Sequence, residues 1–302
     1  MNFTLGTAQL GLDYGIANSS GKPDKNSAFE ILNQSVKSGV RYYDTAAAYG
    51  NSEEILGEFF SSHNSDVFII TKIPPVAESL KNPDDEIEII DFVLNSVNNS
   101  KKNLRRDYLD CLMFHRVEDY FLNEKLILSY LCEHANDLKI NSFGISLYDL
   151  NHSEELLNDD MLSAYQIPAN LLDHRFLNSG FIQKAGELKN HIFIRSLYLQ
   201  GLFFVDEKNI PENIKEFSNY KRQLLNIIEK SGMSFPQFTV NFFKTFYSNC
   251  NLIFGCESVS QLIDNINLLN NSESLDEKYF SEVIDLSGNI PVEIINPSFW
   301  VK

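Results

Sequence analysis

Two kinds of sequence pattern meet in the stretch Tyr42-Tyr43-Asp44-Thr45-Ala46-Ala47-Ala48-Tyr49-Gly50-Asn51-Ser52-Glu53. Its first part, Tyr42–Thr45, is rich in aromatic and β-branched residues, which favour a short strand. A helix is predicted after it, over Glu53–Phe60, because apolar residues recur there at helical spacing: Ile55, Leu56, Phe59 and Phe60. A strand, a polar loop and a helix in this order form the repeating unit of an α/β protein.

The same unit repeats along the chain. Seven further β-rich runs are candidate strands: Thr4–Thr7, Val67–Lys72, Leu109–His115, Ser142–Ser146, Ala164–Ile167, His191–Leu197 and Leu252–Gly255. Other amphipathic stretches are candidate helices: Ser27–Ser38, Asp85–Asn98, Lys215–Ser231 and Ser258–Leu269. Eight repeats in 302 residues predict a parallel sheet closed into a (β/α)8 TIM barrel. Residues 1–302 are expected to form a single domain. Its longest loop is expected at Lys208–Ser218, and an extra helix and tail are expected to pack onto the barrel after Asp276.

A doubly wound parallel sheet is the alternative to the barrel. Such sheets usually carry the glycine pattern GxGxxG directly after their first strand, where it binds the phosphates of a dinucleotide. Here the first strand leads into Gly6-Thr7-Ala8-Gln9-Leu10-Gly11, whose two glycines are five residues apart. This spacing does not fit the dinucleotide turn, so the barrel is favoured.

The composition narrows the classes of function. Acidic residues outnumber basic ones by 41 to 25, so the net charge is −16. Such a charge repels phosphate backbones and argues against general binding to nucleic acids or anionic membranes. The four cysteines, at positions 111, 132, 250 and 256, form no CxxC pair, and the N-terminal sequence does not resemble a signal peptide. A reducing cytoplasm is therefore the expected location.

Polar side chains follow several of the predicted strands. In a parallel barrel, the loops after the strands meet at one end and carry the functional residues. Asp44, Lys72 and His115 each lie at such a strand end, and Tyr49 lies in the loop after Asp44. Because Lys72 directly follows an apolar run, we expect it to be partly desolvated and paired with Asp44 on the neighbouring strand. Taken singly, each of these residues is more often a cap, a surface charge or a packing residue.

The stretch from Asp44 to Glu53 resembles the signature of the aldo-keto reductase family, DTAxxYGxSE. Other segments fit the family as well: Gly6–Ala8, Ser38–Tyr43, Thr71–Lys72, Tyr108–Asp110 leading to His115, Gly144–Ser146 and Gln166–Asn170. The similarity runs from Thr4 to about Asn265 and looks closest to bacterial members that act near carbohydrate metabolism. It implies a barrel enzyme that reduces an aldehyde or ketone, such as a sugar or sugar derivative, with NAD(P)H as the cofactor.

The resemblance also implies a catalytic tetrad of Asp44, Tyr49, Lys72 and His115. In this interpretation Tyr49 donates a proton to the carbonyl oxygen, and Lys72 lowers the pKa of Tyr49 by stabilising its phenolate. Asp44 keeps Lys72 charged and oriented, and His115 orients the carbonyl through a hydrogen bond. No metal ion is needed, because the chain itself provides the proton donor and the groups that stabilise the oxyanion.

The same resemblance assigns residues to the cofactor. Ser146 and Gln166 match positions that bind the nicotinamide carboxamide, whereas Leu147 stands where many relatives have Asn. Arg195, followed by Ser196, stands where an aromatic residue often stacks on the nicotinamide, and its guanidinium is expected either to cover the ring or to contact the pyrophosphate. The segment after the eighth strand resembles a GxxSxxQLxxN motif that binds the adenosine end, with these candidate residues: Gly255, Glu257, Ser258, Gln261 and Asn265.

The segment Gly255–Asn265 contains no Lys or Arg to bind the 2′-phosphate of NADPH. Glu257 adds a negative charge there, so we expect weak discrimination between the two cofactors or a preference for NADH. Two other functions stay open: a regulatory protein that binds the cofactor with little turnover, and a barrel hydrolase or lyase. The partner is expected to be a small carbonyl compound, and the sequence does not indicate the oligomeric state.

Overall fold

Eight parallel strands form a closed barrel in the computed structural model, which describes residues 1–18, 21–63, 65–246, 249–288 and 290–300. The strands are β1 (Asn2–Gly6), β2 (Tyr42–Asp44), β3 (Phe68–Ile73), β4 (Cys111–Phe114), β5 (Phe143–Ser146), β6 (Ala164–Pro168), β7 (His191–Arg195) and β8 (Asn251–Gly255). Each strand pairs with the next one in the chain, and β8 pairs with β1. The predicted barrel is confirmed, and every predicted strand is present with its ends shifted by two residues at most.

Helices connect successive strands and follow the last one. They are α1 (Ala8–Gly11), α2 (Lys25–Lys37), α3 (Ser52–Ser61), α4 (Val76–Ser79), α5 (Glu86–Leu104), α6 (Val117–Phe121), α7 (Leu126–Glu133), α8 (Ser153–Leu157), α9 (Arg175–Asn178), α10 (Phe181–Glu187), α11 (Phe217–Ser231), α12 (Phe235–Phe246), α13 (Val259–Asn270), α14 (Glu277–Ser287) and α15 (Val292–Ile295). Short 3-10 turns occur at Leu199–Phe204, Glu207–Asn209, Glu212–Ile214 and Pro297–Phe299. The apolar faces of the helices pack on the outward-facing side chains of the strands and form the main core. No helix of the described residues is both long and apolar enough to cross a membrane.

Two regions differ from the sequence prediction. Helix α12 was not predicted, because its sequence contains five phenylalanine and two threonine residues and therefore resembles a strand in composition. The predicted loop Lys208–Ser218 contains a 3-10 turn and the start of α11. The extra helix expected after Asp276 is present as α14, and the Asp276 side chain caps it by accepting a hydrogen bond from the Lys278 backbone.

The inside of the barrel is built in layers, because alternate residues of each strand point inward. A layer of apolar side chains fills the middle, which we call the apolar layer: Ile70, Cys111, Met113, Ala164 and Phe193. A second layer lies two residues closer to the carboxyl ends of the strands, and we call it the polar layer. It consists of Lys72, His115, Gln166 and Arg195. Asp44 also belongs to it, because it lies two residues after Tyr42, which packs against the apolar layer. The candidate site therefore lies at the end of the barrel where the connecting loops begin.

Candidate active site

Lys72 and Asp44 form a buried ion pair in the polar layer. Lys72 Nζ donates hydrogen bonds to Asp44 Oδ1 over 2.6 Å and to the backbone carbonyl of Thr45 over 2.8 Å. The Lys72 side chain is 0% exposed and that of Asp44 is 6% exposed. Gln166 Nε2 donates to the same Asp44 oxygen over 2.7 Å. Two donors thus hold the carboxylate, and the expected pairing of Lys72 with Asp44 is present.

Tyr49 lies above this ion pair in the loop after β2. Lys72 Nζ is 4.9 Å from the centroid of the Tyr49 ring, and the His115 ring meets it edge-on, with the two centroids 5.9 Å apart. Burial raises the pKa of Tyr49, the negative charge of Asp44 raises it further, and Arg195 lowers it. The pKa shift is therefore opposite to the one expected from Lys72, because the loss of hydration and the negative charge of Asp44 outweigh the positive charge of Arg195. Tyr49 is protonated at neutral pH.

A chain of hydroxyl groups holds the loop that carries Tyr49. Thr45 Oγ1 donates to Ser52 Oγ over 2.9 Å, and Ser52 Oγ contacts Thr7 Oγ1 over 2.7 Å. Thr7 Oγ1 in turn donates to the backbone carbonyl of Asp44 over 2.8 Å. Gly11 packs against the same loop so closely that a Cβ atom there would lie 1.9 Å from the carbonyl oxygen of Tyr49. These contacts fix the backbone on either side of the candidate proton donor.

His115 is a neutral imidazole in this site. Burial lowers its pKa to about 3, and the positive charges of Lys72, Arg195 and Arg116 contribute to the shift. Its Nδ1 atom is buried and has no hydrogen-bond partner among the described residues. A neutral imidazole carries one N–H donor and one acceptor nitrogen, so it can hydrogen-bond to a substrate oxygen without carrying a charge.

Arg195 ends β7 and reaches across β6 to the loop after β5. One guanidinium nitrogen donates to the Leu147 carbonyl over 3.0 Å and another donates to Ser196 Oγ over 3.3 Å. The guanidinium carbon lies 4.4 Å from the centroid of the Tyr148 ring. Ser196 has a φ of 67°, so the chain turns sharply directly after the strand. The strand predicted to extend to Leu197 ends at Arg195 for this reason.

A cavity of about 490 Å³ extends from the polar layer to the start of α13. Most of the residues assigned to the cofactor by the sequence line it: Gln166, Arg195, Ser196, Gly255, Glu257, Gln261 and Asn265. The other two, Ser146 and Ser258, do not line it. Ser146 is buried at the end of β5, and Ser258 caps α13 by accepting a hydrogen bond from the Gln261 backbone over 3.3 Å. The roles of all nine residues stay predictions.

Several residues of the cavity were missed by the sequence analysis: Gln9, Tyr14, Tyr198, Gln200 and Asp264. Gln9 covers the end of β8, since a Cβ atom on Gly255 would lie 2.2 Å from Gln9 Nε2. The Gln200 carbonyl accepts a hydrogen bond from the Ile16 backbone over 3.0 Å, which joins the loops after β7 and β1 over the cavity. Only the composition of these loops could have indicated the residues, because their positions follow no periodic pattern.

The residues of this cavity fit a nicotinamide dinucleotide. The volume lies in the range of about 300–1,000 Å³ that is usual for small-molecule sites. Tyr198, which lines the cavity, has a buried hydroxyl without a partner among the described residues. The twelve-residue helix α13 begins at the cavity and directs its free backbone N–H groups toward the loop after β8, as phosphate-binding helices do. Gln166 would hold the carboxamide end, and Gln261 and Asn265 the adenosine end.

The chain belongs to the aldo/keto reductase family. The model of that family, described as "Aldo/keto reductase family", matches residues 2–287. The resemblance that the signature around Tyr49 indicated is therefore confirmed.

Individual proteins are also similar to the chain. The uncharacterized oxidoreductase YqkF of Bacillus subtilis is 27% identical over 57% of this chain and 56% of its own length. The glyoxal reductase of the same organism is 31% identical over 44% of this chain and 45% of its own length. These matches span only about half the length of the relatives. Among solved structures, the aldo-keto reductase AKR11C1 of Bacillus halodurans in its holo form has a TM-score of 0.72 and 17% identity, covering 94% of this chain and 91% of its own. At 17% identity, this structural similarity supports the fold alone.

Proposed function

We propose that this protein is an NAD(P)H-dependent reductase of aldehydes or ketones. The observation that carries the proposal is the buried ion pair between Lys72 and Asp44, 2.6 Å long, directly below the ring of Tyr49. A buried charge pair costs desolvation free energy and needs a reason to be kept inside a barrel. Family membership supports the proposal, and so does the name of the related glyoxal reductase, since glyoxal is a dialdehyde.

Each residue of the tetrad has a role that follows from its surroundings. When bound, a reduced nicotinamide supplies the hydride that adds to the carbonyl carbon. Tyr49 holds its proton at neutral pH and donates it to the carbonyl oxygen as negative charge develops there. His115, being neutral, donates a hydrogen bond that orients the same oxygen and does not compete as the acid.

The two cations of the polar layer matter after the proton has left Tyr49. The phenolate that remains is buried, and such a charge is unfavourable without compensation. Lys72 lies below the ring and Arg195 lowers the pKa of Tyr49, so both cations stabilise the phenolate. Asp44 keeps Lys72 in place, and a proton from solvent then restores the phenol. The raised pKa of Tyr49 makes it a weak acid at rest, which suits a donor that is needed only when an oxyanion forms.

Replacing Tyr49 with Phe tests this proposal. The Tyr49→Phe variant keeps the ring but loses the acidic proton, so we expect turnover to fall by about 100-fold or more while cofactor binding is kept. The measurement is the oxidation of NADH and NADPH at 340 nm with a panel of simple aldehydes, beside a fluorescence titration of each cofactor. Tyr108→Phe, an exposed tyrosine outside the cavity, is the matched control.

Two outcomes contradict the proposal in different ways. Normal turnover by Tyr49→Phe shows that another group donates the proton. Cofactor binding by the unaltered protein without turnover of any aldehyde indicates a regulatory protein on the same barrel.

We further propose that the protein uses NADH at least as well as NADPH. Two carboxylate residues, Glu257 and Asp264, line the end of the cavity at β8 and α13, and Arg195 is the one Lys or Arg among the described residues that line it. Glu257 is half-buried, and burial raises the pKa of its carboxyl group. Carboxylates repel a 2′-phosphate and accept hydrogen bonds from free ribose hydroxyls.

Fluorescence titration of both reduced cofactors checks this proposal. We expect the dissociation constant for NADH to be equal to or lower than that for NADPH. Glu257→Gln is expected to improve NADPH binding several-fold. Glu30→Gln is the control and should leave both dissociation constants unchanged, because Glu30 lies on the exposed face of α2 and outside the cavity. An affinity for NADPH at least ten times tighter than for NADH, about 1.4 kcal/mol, would refute the proposal.

A further inference from the structure

Arg195 is a cation inside the cavity that has no acidic partner. Its side chain is half-buried and lines the cavity beside Tyr14, Tyr49 and Gln166. Among the described residues it forms no ion pair, whereas the other cation of the polar layer, Lys72, is paired with Asp44 over 2.6 Å. An unpaired charge that is partly removed from water is unfavourable, so its retention in a ligand cavity indicates a negatively charged ligand.

The neighbours of Arg195 hold it in place but leave donors free. The contacts to the Leu147 carbonyl and Ser196 Oγ occupy two of the five N–H groups of the guanidinium. The Tyr148 ring, 4.4 Å from the guanidinium carbon, supports the plane of the group. Both hydrogen-bond partners are neutral, and so is the ring. The full positive charge is thus available to a ligand, and these contacts already orient the guanidinium group.

Arg195 interacts electrostatically with the proposed reacting groups. It lowers the pKa values of Tyr14, Tyr49 and His115, and the proposed mechanism directs the carbonyl oxygen toward the last two. The carboxylate within the tetrad, that of Asp44, already accepts hydrogen bonds from Lys72 and Gln166. The other two carboxylates that line the cavity, Glu257 and Asp264, belong to the loop after β8 and to α13.

We propose, on the basis of the proposed reductase function, that Arg195 selects carbonyl substrates that carry an anionic oxygen group. A carboxylate or a phosphoryl group fits, because the planar guanidinium binds either of them through two parallel N–H donors. The anionic group binds at Arg195 while the carbonyl oxygen points toward Tyr49 and His115. The overall charge of −16 does not prevent this, since Arg195 has no acidic partner among the described residues and its surroundings are locally positive, whereas Lys72 is neutralised by Asp44.

Pairs of aldehydes that differ only in charge test this inference. One pair is 4-carboxybenzaldehyde and its neutral methyl ester, methyl 4-formylbenzoate. The other pair is glyceraldehyde 3-phosphate and glyceraldehyde. Binding is measured by calorimetry in excess NAD⁺, where reduction does not occur, and again without the cofactor. We expect at least one anionic member to bind about tenfold more tightly than its neutral partner, or better, in line with a charge-assisted hydrogen-bonded pair.

Variants of Arg195 identify the group responsible. In Arg195→Gln the preference for the anionic member is expected to fall to less than about threefold, and Arg195→Lys, which keeps the charge, is expected to keep part of it. Arg116→Gln is the control, because Arg116 also lies close to His115 but does not line the cavity and is paired with Glu78 over 2.9 Å. The carboxylate and phosphate pairs together show which oxyanion is preferred.

The outcomes separate this inference from the proposed function. Equal affinity for both members of each pair, or no binding of either anionic probe, overturns the inference even if neutral aldehydes are reduced. Anionic probes that bind through Arg195 support the inference on binding even if they are not reduced, and the reductase is contradicted when no aldehyde at all is reduced with NADH or NADPH. An Arg195→Gln variant that loses NADH affinity and keeps its discrimination between aldehydes also overturns the inference, because Arg195 then contacts the cofactor instead.

Discussion

Two layers inside the same barrel, two residues apart along each strand, differ completely in chemistry. Ile70 and Phe193 lie in the apolar layer, and Lys72 and Arg195 follow them in the polar layer on the same strands. On β6, Ala164 is followed in the same way by Gln166. Backbone geometry is equivalent in the two layers, so strand structure alone does not explain the difference.

The comparison shows what each layer contributes. The apolar layer removes hydrocarbon from water and stabilises the closed barrel. The polar layer requires desolvation of charges, which is tolerated where the charge is paired, as that of Lys72 is with Asp44, or only half-buried, as that of Arg195 is. It lies where the strands end and the loops open the cavity, so a ligand can reach it. Stability and chemistry are thus separated by one layer of side chains, about 7 Å along a strand.

The largest expected effect comes from breaking the polar layer at Lys72. Lys72→Met leaves Asp44 buried without its cation, so we expect a loss of roughly 3–5 kcal/mol in the free energy of unfolding, together with loss of activity. Urea denaturation and NADH oxidation measure the two effects. Lys139→Met is the control, because Lys139 forms an ion pair with Asp107 that is exposed, and its removal is expected to cost at most about 1 kcal/mol. An inactive Lys72→Met with unchanged stability would contradict the buried-pair interpretation but not the catalytic one.

A smaller change in the free energy of unfolding is expected from the protonation of His115 as the pH falls. Its folded-state pKa of about 3 lies below the ordinary value of 6.5, so the unfolded chain binds a proton below about pH 6.5 and the folded chain does not. Acidification from pH 7 to pH 5 therefore lowers the stability of the folded state. His115→Gln is expected to reduce this loss, as urea denaturation at the two pH values can show.

The neutral state of His115 also predicts the pH dependence of activity. The turnover number is expected to show no inflection from this residue between pH 5 and pH 8, because its pKa is lowered to about 3. An inflection near pH 6.5 that disappears in His115→Gln would show that the imidazole becomes charged during turnover.

The smallest effect is expected in the apolar layer. Met113 lies in β4, two residues before His115, and its side chain belongs to the apolar layer. Met113→Leu nearly conserves volume, so we expect a loss of less than about 1.5 kcal/mol in the free energy of unfolding and an unchanged turnover number. Urea denaturation and steady-state kinetics check both values. A large loss of activity would show that the two layers are coupled, which would remove the separation described above.

The sequence predicted the elements of the fold better than the lining of the cavity. Strand ends such as those of β3 and β7 were found within two residues, since apolar runs and the polar residues after them are local signals. The tetrad stays a prediction, which the sequence allowed because Asp44 and Tyr49 belong to one continuous motif. By contrast, Gln9 and Asp264 were missed, because residues far apart in the chain form this part of the cavity only after the barrel has closed.

The sequence by itself determined that this chain alternates strands and helices, and that Asp44, Lys72 and His115 lie at the ends of strands. Only the tertiary structure decided the electrostatic state of the site. Lys72 was expected to make Tyr49 more acidic, yet burial raises the pKa of Tyr49. Arg195 had two expected roles, which stay predictions, and it lies next to Tyr148 without an acidic partner among the described residues. The physical reason is that pKa shifts and ion pairing depend on solvent exclusion and on distances between residues that are remote in the chain, and no local pattern of residues encodes either quantity.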